Sequence, residues 1–168
     1  RPHPLALAQC PGGGGREMTP LPSVYKGYQC RSRLEARWLC FLDTLGMQFI
    51  YEPEGFKFED GTCYLPDLYF PEIRTWAEIK PFIPDDWSPE IHKLRQLVIE
   101  SQRPALLLDA QPDARHYWKF YIGDDRRIHR AMVSIDTKGN AVHRLLGMYS
   151  PAYRRAVIAA RALRFDTH

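Results

Sequence analysis

Three features of this sequence predict an α/β domain in which a mixed sheet is flanked by helices. Helix-periodic segments alternate with short apolar runs; their order is helix, three or four strands, helix, strand; and a second set of strand-like runs, ending in a last helix, follows as a β-rich C-terminal extension. At 168 residues, 45% hydrophobic and 26% charged, the chain suits one globular core with an appendage.

Residues 1–24, rich in Pro and Gly and without periodicity, read as a flexible leader. From Arg31 to Leu45, apolar residues at 34, 38, 41, 42 and 45 follow helical spacing, and Gly46 supplies the stop. "MQFIYE" (47–52) reads as a strand, and "GFKFE" and "CYLPDLYF" as two more joined around Asp60-Gly61. "TWAEIKP" is a further strand, ended by Pro81. The segment 88–102 opens with Ser, Pro and Glu, an N-cap followed by a proline at the first helical position, and predicts a helix. "PALLLDA" (104–110) has the continuous apolar character of a buried strand. Beyond it, "HYWKFYIG", "IHRAMVSID" and "AVHRLL" predict strands, with turns at Gly123-Asp124 and Lys138-Gly139-Asn140. A final helix, from about Ser150 to Arg164, is expected to bury Tyr153, Val157, Ile158 and Ala160.

Several function classes find no support. No run approaches the roughly 18 apolar residues of a membrane span. The four cysteines, Cys10, Cys30, Cys40 and Cys63, lack zinc-site spacing and are expected as reduced thiols of a cytoplasmic protein. The six histidines are scattered, the serines lack a nucleophile-elbow context, and "PGGGG" has no lysine after it to make a phosphate loop. Charge is uneven. Residues 1–112 carry 12 Lys+Arg against 15 Asp+Glu, a balance of −3, whereas residues 113–168 carry 11 against 5, a balance of +6, so the C-terminal part suits a polyanion or is simply a solubilising surface.

The stretch "YLPDLYFPEIRTWAEIKP" (64–81) is unusual in placing Asp67, Glu78 and Lys80 on apolar strands. Alternation puts Leu65, Asp67 and Tyr69 on one face and Trp76, Glu78 and Lys80 on one face, so pairing across the intervening turn brings Asp67 beside Glu78. Two converging carboxylates repel, and a divalent cation reverses that sign: hard oxygen ligands from two strands suit Mg²⁺, with phosphate oxygens and water completing its shell. Lys80 beside it could orient or deprotonate a water, or offset charge on a phosphate. On the first helix, Glu35 falls between Leu39 and Leu42 on the core-facing side, where a carboxylate needs a partner. That partner is the strand site, or Glu35 caps the helix or pairs with Arg31. Asp125 and "DTK" (136–138) repeat the eleven-residue acid spacing, but Asp136-Thr-Lys-Gly-Asn reads as a turn. Glu52 and Glu54 bracket another turn and are expected to be solvated.

Glu35 on a first helix, Pro66-Asp67 and Glu78-Ile79-Lys80, set within "YKGYQCRSRLEARWLCFLDTLG", "YEPEGF", "YLPDLYFP" and "AEIKP", resemble the PD-(D/E)XK nuclease superfamily over about residues 25–110. The text is similar to small nucleases of phages and mobile elements, including Holliday-junction resolvases and transposon end-cleaving endonuclease subunits. The resemblance implies a restriction-endonuclease-like α-β-β-β-α-β core. It also implies a Mg²⁺ ion, replaceable by Mn²⁺, on Asp67, Glu78 and the Ile79 carbonyl, with Lys80 serving the attacking water and Glu35 supporting the metal or its water. All four positions carry the expected residue types.

DNA is the partner this implies, with a homodimer or a recombination or transposition protein as a further one, in the cytoplasm of a prokaryote or an infected host. Lys26, Arg31 and Arg33 are candidates for backbone phosphates near the metal, or belong to a solvated helix terminus. Arg154, Arg155, Arg161 and Arg164 on the last helix either grip a DNA backbone or form its basic exterior. Tyr117, Trp118 and Tyr121 stack on bases or sit in the core. The alternative to an endonuclease is a non-catalytic DNA-binding or assembly subunit that keeps the fold; a third reading is a structural ion-pair network in an unrelated α/β domain.

Overall fold

The computed structural model describes residues 21–112, 117–135, 141–142 and 151–165. Most of the expected leader, the turn at 138–140, most of "AVHRLL", the Asp136–Lys138 stretch and the Ser150 cap lie outside these residues. The described chain opens with an antiparallel hairpin, β1 (Ser23–Tyr25) and β2 (Tyr28–Cys30), which takes in Ser23 and Val24 from the stretch that composition assigns to the leader. Helix α1 (Arg33–Leu45) is capped by Ser32, whose hydroxyl accepts from the Glu35 N–H at 3.1 Å. It ends where Gly46 adopts φ 75°, a left-handed conformation that glycine adopts without steric cost, and where the Gly46 N–H donates to the Asp43 carbonyl at 3.0 Å.

Only Ile50–Tyr51 of the expected "MQFIYE" strand pairs, as β3. Next come β4 (Phe56–Lys57) and β5 (Cys63–Tyr64), a small hairpin turned at Gly61 (φ 82°), where the Asp60 carboxylate accepts from the Thr62 N–H at 2.8 Å. The single strand expected over "CYLPDLYF" is therefore two. It breaks at Leu65-Pro66-Asp67, where Pro66 has no N–H to give to a ladder, and resumes as β6 (Leu68–Phe70) in a different sheet. β7 (Thr75–Lys80) follows, and α2 (Pro89–Ser101) begins with the expected Ser88 cap and Pro89 before the chain returns as β8 (Ala105–Asp109). The described chain ends with β9 (Tyr117–Ile122), β10 (Ile128–Ile135), β11 (Ala141–Val142) and α3 (Pro151–Ala162).

The main sheet runs β11-β10-β9-β8-β7-β6-β3. Its β7–β8 pair is parallel, bridged by α2, and its other pairs are antiparallel, so the protein is a mixed α/β fold. β9 pairs with β8, which means that the C-terminal strands continue this sheet instead of forming their own layer. One face carries Ala77, Ile79, Leu106 and Leu108 against α1 and α3; the other carries Trp76, Ala105, Leu107 and Phe120 against α2. Trp38 of α1 is completely buried and donates its indole N–H to the Ala110 carbonyl at 3.0 Å.

Two expectations fail here. Ile158, expected inside, is 66% exposed; the buried stripe of α3 is Tyr153, Ala156 and Ala160, and it leaves Arg154, Arg155, Arg161 and Arg164 outside. Cys30 and Cys40 are free thiols, but Cys63 is disulfide-bonded, contrary to the expectation of reduced thiols throughout. Among the described residues no helix is long and apolar enough to cross a membrane.

Candidate metal centre at the end of the sheet

β6 and β7 pair up to Leu68 opposite Ala77, and one further step in the same register sets Asp67 across from Glu78. Both acids are buried, 3% and 8% exposed. The β6 ladder has ended there, so Asp67 is free to make end-of-strand contacts: its Oδ2 accepts the Ile79 backbone N–H at 2.7 Å, and its carbonyl accepts the Glu52 N–H at 2.9 Å. Glu78 and Lys80 share a face of β7 as alternation requires, and the Lys80 ammonium lies 2.9 Å from Glu78 Oε1. The other oxygen, Oε2, accepts the Tyr64 hydroxyl at 2.7 Å. Tyr64 reaches this point because β5 folds onto β4 beside the main sheet.

Glu35 comes from the α1 side of the sheet. It is 8% exposed and serves as the third helical residue of a capping arrangement with Ser32. Its Oε1 accepts the Ser32 hydroxyl at 2.9 Å, and its Oε2 accepts both the Tyr51 hydroxyl at 2.6 Å and the Arg31 backbone N–H at 3.0 Å. Both alternatives open for Glu35, capping and association with Arg31, are thus realised in the same conformation. α1 packs against the face of Ala77 and Ile79, the face opposite Glu78 and Lys80, so the helix acid and the strand acid approach from different sides.

Arg31 joins them. Its guanidinium bonds Asp67 through Nη2 and Oδ1, while its Nε lies 2.6 Å from Glu52 Oε1 and 4.0 Å from Glu35 Oε2. Glu52 is therefore not the solvated turn acid the sequence suggests: it is partly buried, its backbone sits at φ 45°, and its Oε1 is buried with an ion-pair distance to Arg31 but no aligned hydrogen bond. A non-glycine residue in that backbone region is uncommon, and the Asp67 carbonyl holds it there.

Burial is the largest influence on Asp67 and pushes its carboxyl well above the ordinary range; Glu78 adds repulsion, and Arg31 and the Ile79 N–H oppose the shift without cancelling it. Lys80 is pulled down by burial but ends above its ordinary value, because Glu78 and Asp67 favour the charged amine. Burial and Glu78 raise Tyr64, and burial and Glu35 raise Tyr51, which keeps both phenols as donors. Burial, with Glu35 and Glu52 nearby, pushes the Cys30 thiol up to about 12.

Among the described residues, no three His, Cys, Asp or Glu side chains surround a common point at metal-holding distance. Glu35, Glu52 and Asp67 are arranged around the Arg31 guanidinium, and Glu78 pairs with Lys80. The remaining candidates stand apart from the cluster. Lys26 pairs with Asp43 at 2.5 Å, Arg33 lies over the Phe165 ring at 5.5 Å, and Arg154 and Arg155 are exposed on α3. Tyr117 is core, as one of its two readings has it, and Trp118 stacks under Arg130 at 4.3 Å.

Sequence reasoning missed Glu52, Tyr51 and Tyr64 as partners of the site. The Ser32-x-x-Glu35 spacing was the available sign that Glu35 caps its helix; a tyrosine on a short apolar strand carries no comparable sign. Comparison with protein-family models and with curated proteins finds no match to this chain.

Proposed function

We propose that this chain is a Mg²⁺-dependent endonuclease that hydrolyses phosphodiester bonds of DNA on a restriction-endonuclease-like core, of the kind used by phages or mobile elements for recombination, transposition or DNA processing. The observation that carries this reading is the meeting of two ion-pair sets at the end of the sheet: Glu35 and Asp67 on one arginine, Arg31, and Glu78 with Lys80, the Asp67 carboxylate being bonded to the N–H of Ile79 between them. Around these residues the chain runs α1-β3-β4-β5-β6-β7-α2-β8, with β4 and β5 paired outside the main sheet and β8-β7-β6-β3 adjacent within it.

The donor chemistry suits a divalent cation, although among the described residues no three of these side chains surround a common point. Glu35, Glu52, Asp67 and Glu78 gather in a largely buried cluster where Arg31 and Lys80 are the basic partners among the described residues, and Glu52 Oε1 is buried without an aligned hydrogen bond. Asp67, Glu78 and Glu35 would hold the ion; all offer the hard oxygens that Mg²⁺ and Mn²⁺ accept. When bound, the cation supplies Lewis-acid polarisation of the phosphate and a more acidic water.

The protein's own residues do the rest. Ile79 N–H fixes one Asp67 oxygen while Arg31 holds the other, and Tyr64 fixes one oxygen of Glu78. Lys80, held charged by Glu78, is placed to orient water or to stabilise charge developing on the phosphate. The exposed arginines of α3 supply backbone attraction. Both strands of a duplex would be cut by a homodimer or with a partner recombination or transposition protein, in the cytoplasm.

A cleavage panel of linear duplex, single-strand, flap and four-way-junction DNA with Mg²⁺ or Mn²⁺ tests the proposal. Metal-dependent cleavage of at least one substrate is expected. Binding without cleavage would favour the non-catalytic DNA-binding or assembly subunit.

A further inference from the structure

The side chain at the centre of the cluster is Arg31, and its contacts are those of a counter-ion. It meets three carboxylates from three parts of the chain: Asp67 before β6, Glu52 after β3 and Glu35 on α1. Asp67 Oδ2 is tied to the Ile79 N–H, so Arg31 takes the oxygen of Asp67 that the backbone does not. Glu52 Oε1 is buried, and the Arg31 Nε beside it is not aligned as a hydrogen bond. Arg31 is also the partner most able to leave. Its side chain is 51% exposed, whereas its backbone is anchored separately by the N–H bond to Glu35, so the guanidinium can swing out without disturbing the helix cap.

One guanidinium stands among the three carboxyl groups of Glu35, Glu52 and Asp67. A divalent cation delivers twice the charge to the same oxygens from a smaller volume, and the two cations cannot share the Asp67 oxygen, since like charges a few ångströms apart in a partly buried site repel strongly.

We propose that Arg31 is an internal counter-ion that exchanges with the divalent cation: it closes on Asp67 in the metal-free protein, is displaced outward when the cation binds, and then presents its guanidinium to a DNA phosphate. This rests on the nuclease reading in taking Asp67 as a cation ligand. The device keeps the acids together before metal arrives, and it makes the apparent metal affinity weaker than the intrinsic one by the fraction of molecules in which Arg31 is closed.

Calorimetric titration of Mn²⁺ and Mg²⁺ into the full chain and into Arg31→Ala and Arg31→Lys, without DNA, tests the exchange. Arg31→Ala should bind metal more tightly, by about tenfold or more if the closed state dominates. Arg31→Lys should fall between, because an ammonium is a single point charge and does not span Asp67 and Glu52 together. Equal or weaker binding by Arg31→Ala than by the parent overturns the exchange but leaves the cation site standing; no binding by either overturns the cation site itself. Nuclear magnetic resonance of the unmodified protein gives a second measurement that no folding defect can confuse. The Arg31 Nε–H signal should shift and exchange faster with water at saturating Mg²⁺, and a signal that saturating Mg²⁺ leaves unchanged also overturns the exchange.

Discussion

The carboxylate of Asp67 accepts the backbone N–H of Ile79 at 2.7 Å, which ties the acid of Pro66-Asp67 to the middle residue of Glu78-Ile79-Lys80. The bond forms at the point where β6 has stopped pairing, so it stands in for a missing ladder bond. Asp67→Ala should therefore lose about 1–3 kcal/mol relative to Asp67→Asn, which retains an acceptor for that buried N–H. Denaturant unfolding of the two variants checks the difference, and equal stability would mean that the Ile79 N–H finds another partner.

Lys80→Ala leaves all the acids in place and removes the group set to orient water or stabilise charge on the phosphate. Cleavage should fall on the order of 10²-fold or more while Mg²⁺ affinity persists. Single-turnover rates paired with metal titration separate the two effects; a variant that loses metal affinity in step with rate would make Lys80 a mere support for Glu78.

The basic face of α3 makes a prediction about salt. Neutralising Arg154, Arg155, Arg161 and Arg164 together should weaken DNA binding and flatten its dependence on salt concentration, with turnover at saturating DNA retained. An unchanged slope would reduce the helix to a cap on α1.

Asp43 provides a pH test away from the cluster. The Lys26 hydrogen bond, with a further one from Tyr25, holds its carboxyl below the usual value. The unfolded chain therefore takes up this proton at a higher pH than the folded one, so the stabilisation is complete above the ordinary aspartate pKa of about 3.9 and is lost as pH falls through the folded value. Asp43→Asn should melt below the parent at neutral pH, and the gap should close progressively below about pH 4. A gap independent of pH would assign the effect to packing.

Local chemistry made much of this legible. The Ser-Pro start of α2, the Gly46 stop of α1 and the Asp60-Gly61 turn each arise from a few neighbouring residues and appear where the sequence places them. Asp67, Glu78 and Glu35 stood out because acids on apolar strands or on a buried helix face demand partners. Glu52 was opaque for the converse reason: a turn acid is ordinarily solvated, and only the fold brings Arg31 to it. The continuation of the sheet through β9 and β10 depends on which distant strand β8 accepts as a neighbour, and strand alternation carries no such information. Ile158 belongs to the helical arc but lies at its margin, and the small side chains Ala156 and Ala160 set the stripe that packs.

The most direct test of the account measures Mg²⁺ or Mn²⁺ binding and DNA cleavage on the same preparations of the parent and of Asp67→Asn. The account predicts that the parent binds the metal and cleaves, whereas Asp67→Asn, with one formal charge removed and the side chain's shape kept, binds metal weakly and cleaves far more slowly while still binding DNA. A parent that cleaves no nucleic acid with either metal, together with an Asp67→Asn variant that binds metal as the parent does, would contradict it.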